Sequence, residues 1–268
     1  MWEGDLWVAL RAARAGADVV QTGFFSELRT EMKGSIDPVT QVDRAAEDVI
    51  MGTIASHFPN DLLLGEEGGG SDWRRGRVWI VDPLDGTVNF IRRLPMVAVS
   101  VALWDEGEPL VGVVIDVARN DEFVAVAGSG ATLNDEPIHV SDTTTLEDSL
   151  VVTGFPYDTR EHARAYLDVV EQVMLRSRGT RRLGAAALDL AWLAAGRLDA
   201  YWEHGGAYGI KPWDIAAGLL LVREAGGKVT DHLGNQNQLE APATVASNGL
   251  VHDELRSIVA ETMPAHLQ

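Results

Sequence analysis

Apolar residues recur at Leu6, Leu10, Ala13, Ala17, Val20 and Phe24. Steps of four and three put them on one face of a helix. The Gly, Ser, Asp and Pro content of 33–40 (KGSIDPVT) predicts a loop. Ala46, Ile50 and Ile54 then predict a second amphipathic helix, stopped by Phe58-Pro59-Asn60-Asp61. Strand-length, valine-rich runs follow at Leu62–Leu64, Val78–Val81, Val97–Leu103, Leu110–Val117 and Phe123–Ala127. Gly128, Gly130 and Asn134-Asp135 punctuate a hairpin region that reaches Val140. Beyond the polar connector 141–149 (SDTTTLEDS) the pattern alternates. Strands are predicted at Leu150–Thr153, Leu198–Trp202, Lys228–Thr230 and Thr244–Ala246. Helices are predicted at His162–Arg176, Ala185–Ala195, Ile215–Ala225 and from His252 to Glu261. Grouped strands followed by alternation predict an α/β (α+β) chain. The connector is the expected boundary between an N-terminal half, 1–145, and a C-terminal half, 146–268.

Composition narrows the chemistry. With 46% hydrophobic residues in 268, the chain can bury a real core. The absence of cysteine excludes disulfides, thiolate catalysis, cysteine zinc sites and iron–sulfur ligation. The N-terminus has no basic segment followed by an apolar one, and the longest apolar stretches, such as Met96–Trp104, fall short of the ~20 residues a membrane span needs. A soluble, cytoplasmic protein without a membrane partner is expected. Forty acids against 22 bases leave a net charge of −18, a field that repels nucleic acid and anionic lipid, so no nucleic-acid partner is expected. The same field repels a phosphorylated substrate unless the site supplies positive charge. Many carboxylates and no soft ligands make Mg2+ the economical source. Acidity that serves only solubility is the other reading, and charge alone does not separate the two.

The densest chemical segment runs Val78-Trp-Ile-Val-Asp82-Pro-Leu-Asp85-Gly86-Thr87-Val-Asn89-Phe. An apolar strand leads directly into two acids three residues apart. Pro83 fixes one dihedral between them and Gly86 permits a tight turn. Such a turn at the C-terminal end of a strand can aim Asp82 and Asp85 at one ligand, with the Gly86 and Thr87 amides facing a phosphate. An ordinary Asp-Gly turn is the alternative. Gly65-Glu66-Glu67-Gly68 reads as a solvated loop or as a ligand-bearing strand end. Thr40-Gln-Val-Asp43 is a capping box, which leaves Asp43 free to serve a site as well. Asp214 reads as an N-cap for a helix beginning near Ile215, or as an acid supplied by the second half. Lys33 reads as a solvated lysine or a contact for site anions, and Glu203-His204 as a surface loop. The Arg pairs at 74–75, 92–93 and 181–182 read as solvated. No histidine zinc motif, Walker loop, nucleophile elbow or dinucleotide fingerprint is present.

In this order, four segments resemble the motifs of the inositol monophosphatase family: Thr40-Gln-Val-Asp43-Arg-Ala-Ala-Glu47, Gly65-Glu66-Glu67, Asp82–Phe90 and Trp213-Asp214-Ile-Ala-Ala-Gly218. Gly154–Asp158 and Glu224–Gly227 add weaker support. The resemblance spans nearly the whole chain. It implies an α/β/α/β/α layered sandwich of the inositol monophosphatase and fructose-1,6-bisphosphatase type, with the site between the halves. It implies two or three Mg2+ (Mn2+ as a substitute) held by Glu66, Asp82, Asp85, Asp214 and the Leu84 carbonyl. Glu66, Asp43 and Thr87 would be catalytic, Asp43 lying near a bound water that Thr87 positions. Asp85, Gly86, Thr87, Ala186, Glu203 and Asp214 would contact substrate, and Lys33 would lie close by. One departure is a longer spacing between Glu203 and Trp213, read as an insertion at Gly205–Gly209 beside the substrate pocket.

The expected activity is Mg2+-dependent, lithium-sensitive hydrolysis of inositol monophosphate or a similar small polyol phosphate by metal-activated water, in a homodimer. L-Histidinol-phosphate phosphatase is the alternative. Fructose-1,6-bisphosphatase and 3′-phosphoadenosine 5′-phosphate phosphatase rank lower, because no added basic pocket for a second phosphate is evident. A non-catalytic, transcription-associated role, which the resemblance also carries, is the reading of another class.

Overall fold

The computed structural model describes residues 3–33, 38–155, 159–205, 209–236 and 239–263, with the backbone alone for 159–162. In chain order the elements begin α1 (Glu3–Gly23), β1 (Thr30–Met32), β2 (Pro38–Thr40), α2 (Gln41–His57), β3 (Leu62–Gly65) and β4 (Gly69–Gly70). They continue with β5 (Arg77–Asp85), α3 (Thr87–Ile91), β6 (Ala98–Asp105), β7 (Glu108–Asp116), β8 (Asp121–Val126), β9 (Gly130–Leu133) and β10 (Glu136–Ile138). After a 3-10 turn at Leu146–Asp148 come β11 (Leu150–Thr153), α4 (Thr159–Met174), β12 (Gly179–Arg181), α5 (Ala186–Ala194) and β13 (Ala200–His204). The chain closes with α6 (Pro212–Glu224), β14 (Lys228–Asp231), β15 (Ala243–Ser247) and α7 (His252–Thr262).

Two sheets organise the molecule. One has eight strands in the order β10-β9-β8-β7-β6-β5-β3-β4, the other five in the order β12-β11-β13-β15-β14. Alternation along β5 explains the layering. Trp79 and Val81 join Ala12, Ala13 and Val20 of α1 and Ile50 and Ile54 of α2 in one core. Val78 and Ile80 face the other way, into a core with Leu188 of α5 and Leu219 of α6. The same core takes Val152, Tyr201 and Ala246 from the smaller sheet. That sheet's opposite face, with Val151, Trp202 and Val245, packs on Val169 and Val173 of α4 and Leu255 and Val259 of α7. Helices, sheet, helices, sheet, helices: the five-layer α/β/α/β/α sandwich expected from the resemblance is the fold observed.

Several sequence expectations shift. On α1 the most deeply buried side chains include Val8, Ala9, Ala12 and Ala13, with Leu6, Leu10 and Ala17 packing at the margins. The face against α2 and the sheet therefore favours small residues. Within 33–40, Pro38–Thr40 is a strand paired antiparallel with Thr30–Met32, and 34–37 lie outside the described residues. β4 and β12 were not predicted, since neither contains an apolar run. β5 continues past Val81 to Asp85, with an irregular register against β6 between Asp82 and Asp85. Pro83, which lacks an N–H, sits within that irregularity. No described helix is long and apolar enough to cross a membrane.

Candidate active site

The irregular end of β5 places its acids at the mouth between the sheets. Asp82 is buried and accepts the Leu84 amide on Oδ1 at 3.0 Å. Gly86 has φ +90°, and a Cβ there would stand 2.7 Å from the Met96 carbonyl, so the turn into α3 requires glycine. Thr87, the first residue of α3, donates its hydroxyl to Asp43 Oδ1 at 2.9 Å and to the Leu84 carbonyl at 3.2 Å. Asn89 ties this corner across the cleft, with Nδ2 2.9 Å from the Met96 carbonyl and 2.8 Å from that of Leu183.

Glu66 sits in the turn between β3 and β4. Lys33 bridges it and Glu67, at 2.8 and 2.5 Å. Glu47 of α2, which the motif match contained but to which no role was given, holds this turn from below. Its carboxylate accepts the Glu67 amide at 2.9 Å and the Gly68 amide at 2.7 Å. The turn is thus anchored rather than solvated.

The second half supplies the opposite wall. α6 begins at Pro212, a favoured first-turn residue, so Asp214 is the third helical residue and not the N-cap expected from the sequence. Its Oδ2 accepts the Lys211 amide at 2.7 Å. Asp85 reaches across to the start of α5 and accepts the amides of Ala186 (3.2 Å), Ala187 (2.8 Å) and Leu188 (3.4 Å). Four orphan N–H groups and a positive dipole end make that helix start a good seat for a carboxylate. Ala186 therefore lines the cleft with its amide turned to Asp85. Glu203 is buried within β13, not in the surface loop expected for it, and its Oε2 accepts the Tyr201 hydroxyl at 2.8 Å. His204, read with it as surface loop, is likewise buried. Gly154 makes room for Glu203: a Cβ at 154 would stand 2.1 Å from Glu203 Oε1.

One cleft is lined by Glu66, Asp82, Leu84, Asp85, Gly86 and Thr87 on one side. Ala186, Asp189, Glu203 and Asp214 line the other. Asp189 was missed by sequence reasoning, because inside the apolar α5 it reads as a polar interruption and nothing more. Arg182 also lines the cleft and Arg93 donates to the carbonyls of Phe24 and Ser26, while both stay exposed, as expected for the arginine pairs. Pro156–Asp158 and 206–208, which hold parts of the weaker motif and of the inferred insertion, lie outside the described residues.

The electrostatics of the cleft are those of acids short of positive charge. Burial pushes Glu66 up to about 7, although Lys33 opposes it. Burial also pushes Asp85 up to about 7 against the pull of the Ala187 and Leu188 amides. Asp82 and Asp214 are held well above the usual carboxylate range by burial and by the neighbouring acids. Glu203 rises to about 7 through burial, opposed by Tyr201 and Arg182. Lys33 is raised, the two glutamates outweighing its own burial. Among the described residues no three acids already converge as ligands of one ion. Asp85 leans on its amides and Glu66 on Lys33, as mutually repelling acids should. The donor set itself is all hard oxygen: four carboxylates and the Leu84 carbonyl. It fits Mg2+ or Mn2+ and offers nothing to a soft metal.

Comparison with known proteins gives the family. The model of the inositol monophosphatase family matches residues 3–267, and the chain belongs to that family. It is 42% identical over 248 residues to a Nus factor SuhB from Salmonella typhimurium, covering 91% of each chain. It is 40% identical over 256 residues to an inositol-1-monophosphatase from Mesorhizobium japonicum, covering 95% of each. The solved structure of the extragenic suppressor protein suhB from Bartonella henselae superposes with a TM-score of 0.90 at 36% identity, over 96% of this chain and 98% of that one.

Proposed function

We propose that the protein is a phosphomonoesterase acting on inositol monophosphate or a similar small polyol phosphate. The observation that supports this reading is the cleft itself, which Glu66, Asp82, Leu84, Asp85 and Asp214 line together. Glu66, Asp82, Leu84, Asp85 and Asp214 would hold two or three Mg2+. Such ions lower the pKa of bound water and neutralise charge on a phosphoryl group. Asp43 fixes the Thr87 hydroxyl by accepting its hydrogen at 2.9 Å, which leaves the Thr87 oxygen free to accept from a water. That bond would help orient a nucleophilic water. Asp85, seated on the α5 amides, couples the halves 1–145 and 146–268, so substrate binding and ligand geometry depend on the same helix start. Lys33 screens Glu66 and Glu67 at the rim. Glu203, which accepts the Tyr201 hydroxyl on Oε2, would accept a hydroxyl of the leaving group.

The test is phosphate release from myo-inositol 1-phosphate, histidinol phosphate, fructose 1,6-bisphosphate and 3′-phosphoadenosine 5′-phosphate, each with Mg2+, with chelator and with Li+. Inositol 1-phosphate should be cleaved best, only with Mg2+, and less with Li+. Asp85→Asn should abolish turnover with the fold intact. Faster cleavage of histidinol phosphate would select the alternative substrate, and release unaffected by chelator would remove the metal from the account.

A second reading has its own observation. The 42% identity to a Nus factor SuhB favours the transcription-associated role, and with it the exclusion of nucleic acid on net charge alone no longer stands. Recovery of RNA polymerase by the Asp85→Asn variant in a pull-down separates that role from catalysis.

A further inference from the structure

Helix α5 buries an apolar surface made of Ala187, Leu188, Leu190, Ala191, Leu193 and Ala194. One acid interrupts it. Asp189 is 1% exposed, and its own amide is already used within the helix, donating to the Ala185 carbonyl at 2.9 Å. It caps nothing. Among the described residues it is the one acid with an oxygen, Oδ1, that is both buried and without a hydrogen-bond partner. Other buried acids are satisfied: Asp116 takes Arg119, and Asp199 takes the Ser141 hydroxyl and the Leu150 amide. An orphaned carboxylate oxygen in an apolar helix is expensive, so its retention calls for an explanation outside the free protein.

Asp189 lines the same cleft as Glu203, one residue beyond the Leu188 amide that Asp85 accepts. Both side chains are acceptors only when ionised. Glu203 spends Oε2 on Tyr201, and Arg182 lies on the same wall of the cleft. A matching ligand must therefore present hydrogen-bond donors in pairs. A cationic ligand would meet Arg182. A neutral, hydroxyl-rich group would not.

We propose that Asp189 is a specificity-determining residue, pairing with Glu203 to accept two hydroxyls of a polyol leaving group. The inference rests on the phosphatase reading above and adds to it the part of the substrate that Asp189 and Glu203 measure. Losing a charged hydrogen bond to the substrate weakens binding by about tenfold or more, while a substrate without those hydroxyls loses nothing.

The full-length protein with Mg2+ is assayed on myo-inositol 1-phosphate and on p-nitrophenyl phosphate, whose leaving group has a single phenolic oxygen and no further hydroxyl. Asp189→Leu should raise KM for the inositol ester about tenfold or more, with kcat within a few-fold and p-nitrophenyl phosphate unaffected. Asp189→Asn, which keeps the shape and one acceptor, should fall between, and serves alone if the leucine variant does not fold. Neither variant should melt below the wild type, since each removes an unpaired buried carboxylate. Equal losses on both esters, or an unchanged ratio of their KM values, would overturn the assignment. So would a larger penalty on histidinol phosphate than on the inositol ester. If the wild type cleaves neither ester, the phosphatase reading fails by itself. Asp189 is then judged by calorimetry: inositol 1-phosphate binding that is equal in wild type and variants refutes it, and selective loss in the variants sustains it.

Discussion

Helices α2 and α6 start in the same way and carry different loads. Each has an acid as its third residue, Asp43 and Asp214, folded back onto the amide of the residue before the helix. Thr40 N donates to Asp43 at 2.9 Å and Lys211 N to Asp214 at 2.7 Å. From there they diverge. Asp43 also receives the Thr40 hydroxyl at 2.5 Å and the Thr87 hydroxyl at 2.9 Å. Among the described residues Asp214 receives nothing more, and it faces Asp85 and Glu66, which help hold it well above the usual carboxylate range. The local helix-start chemistry is shared, and the neighbours decide the outcome. An acid surrounded by donors is discharged into structure. An acid surrounded by acids keeps spare lone pairs and unmet charge, which is what a cation can use.

Exchanging the acids should expose that difference most strongly. Asp214→Asn keeps an oxygen for the Lys211 amide but removes a charge from the cluster. Phosphate release should fall by about a thousandfold or more, roughly 4 kcal/mol of barrier. Thermal stability without metal should hold or rise, because like-charge repulsion is relieved. Asp43→Ala should do the reverse in the metal-free protein and lower stability by about 1–2 kcal/mol, since a cap and two hydroxyl partners are lost. Calorimetric Mg2+ titration should show Asp214→Asn as the weaker binder. If the two variants lose stability equally, the comparison is broken.

The unmet charge should also be visible as a pH slope. Glu203 ionises near 4.5 in an unfolded chain and at about 7 in the folded one. Between those values the unfolded chain gives up its proton first, so the native state binds more protons and its stability falls as pH rises. Below about 4.5 the stability is fully present, and above about 7 the loss is complete, of order 3 kcal/mol from this group alone. Asp85 and Glu66 act in the same direction. Urea titrations of metal-free protein should therefore weaken from pH 4.5 to 7, and Glu203→Gln should flatten part of that slope. An unchanged slope in the variant would assign the effect elsewhere. A smaller test is steric. Gly154→Ala puts a methyl into Glu203, so it should cost about 1–3 kcal/mol of stability and raise KM for the inositol ester more than it lowers kcat.

Much of this was readable in the chain, for physical reasons that differ by residue. The strands and helices follow from period, and Asp82, Asp85 and Asp214 stand out because each ends or opens an apolar element. Glu47 and Asp189 do not stand out, for opposite reasons. Glu47 sits at an ordinary helical position, and only the folded turn of Glu67 and Gly68 shows what its carboxylate holds. Asp189 lies in an alanine- and leucine-rich helix, where sequence gives it no partner and the structure gives its Oδ1 none either. The boundary of α6 was misplaced by three residues because Asp214 resembles an N-cap, although Pro212 two positions earlier is the better signal of a first turn. Glu203 reads as surface in the sequence because the apolar run ends at Trp202, and burial of the next two residues depends on pairing with β15.

The finest version of the comparison concerns one hydroxyl. Thr40 Oγ1 accepts the Val42 amide at 3.1 Å and donates to Asp43 at 2.5 Å, whereas α6 starts from Lys211, whose side chain has no acceptor. Thr40→Val keeps the branched shape and deletes both bonds. It should cost about 1 kcal/mol in urea unfolding with an unchanged denaturant slope, which is the usual scale for a lost cap. Activity should stay within a few-fold, because the Thr40 amide and Thr87 still hold the carboxylate of Asp43. Thr40→Ser should restore the stability. If Thr40→Val instead lowered phosphate release as fully as Asp214→Asn, Asp43 would be carrying charge for the site rather than geometry, and the distinction between the two helix starts would have to be drawn again from the bond between Asp43 and Thr87.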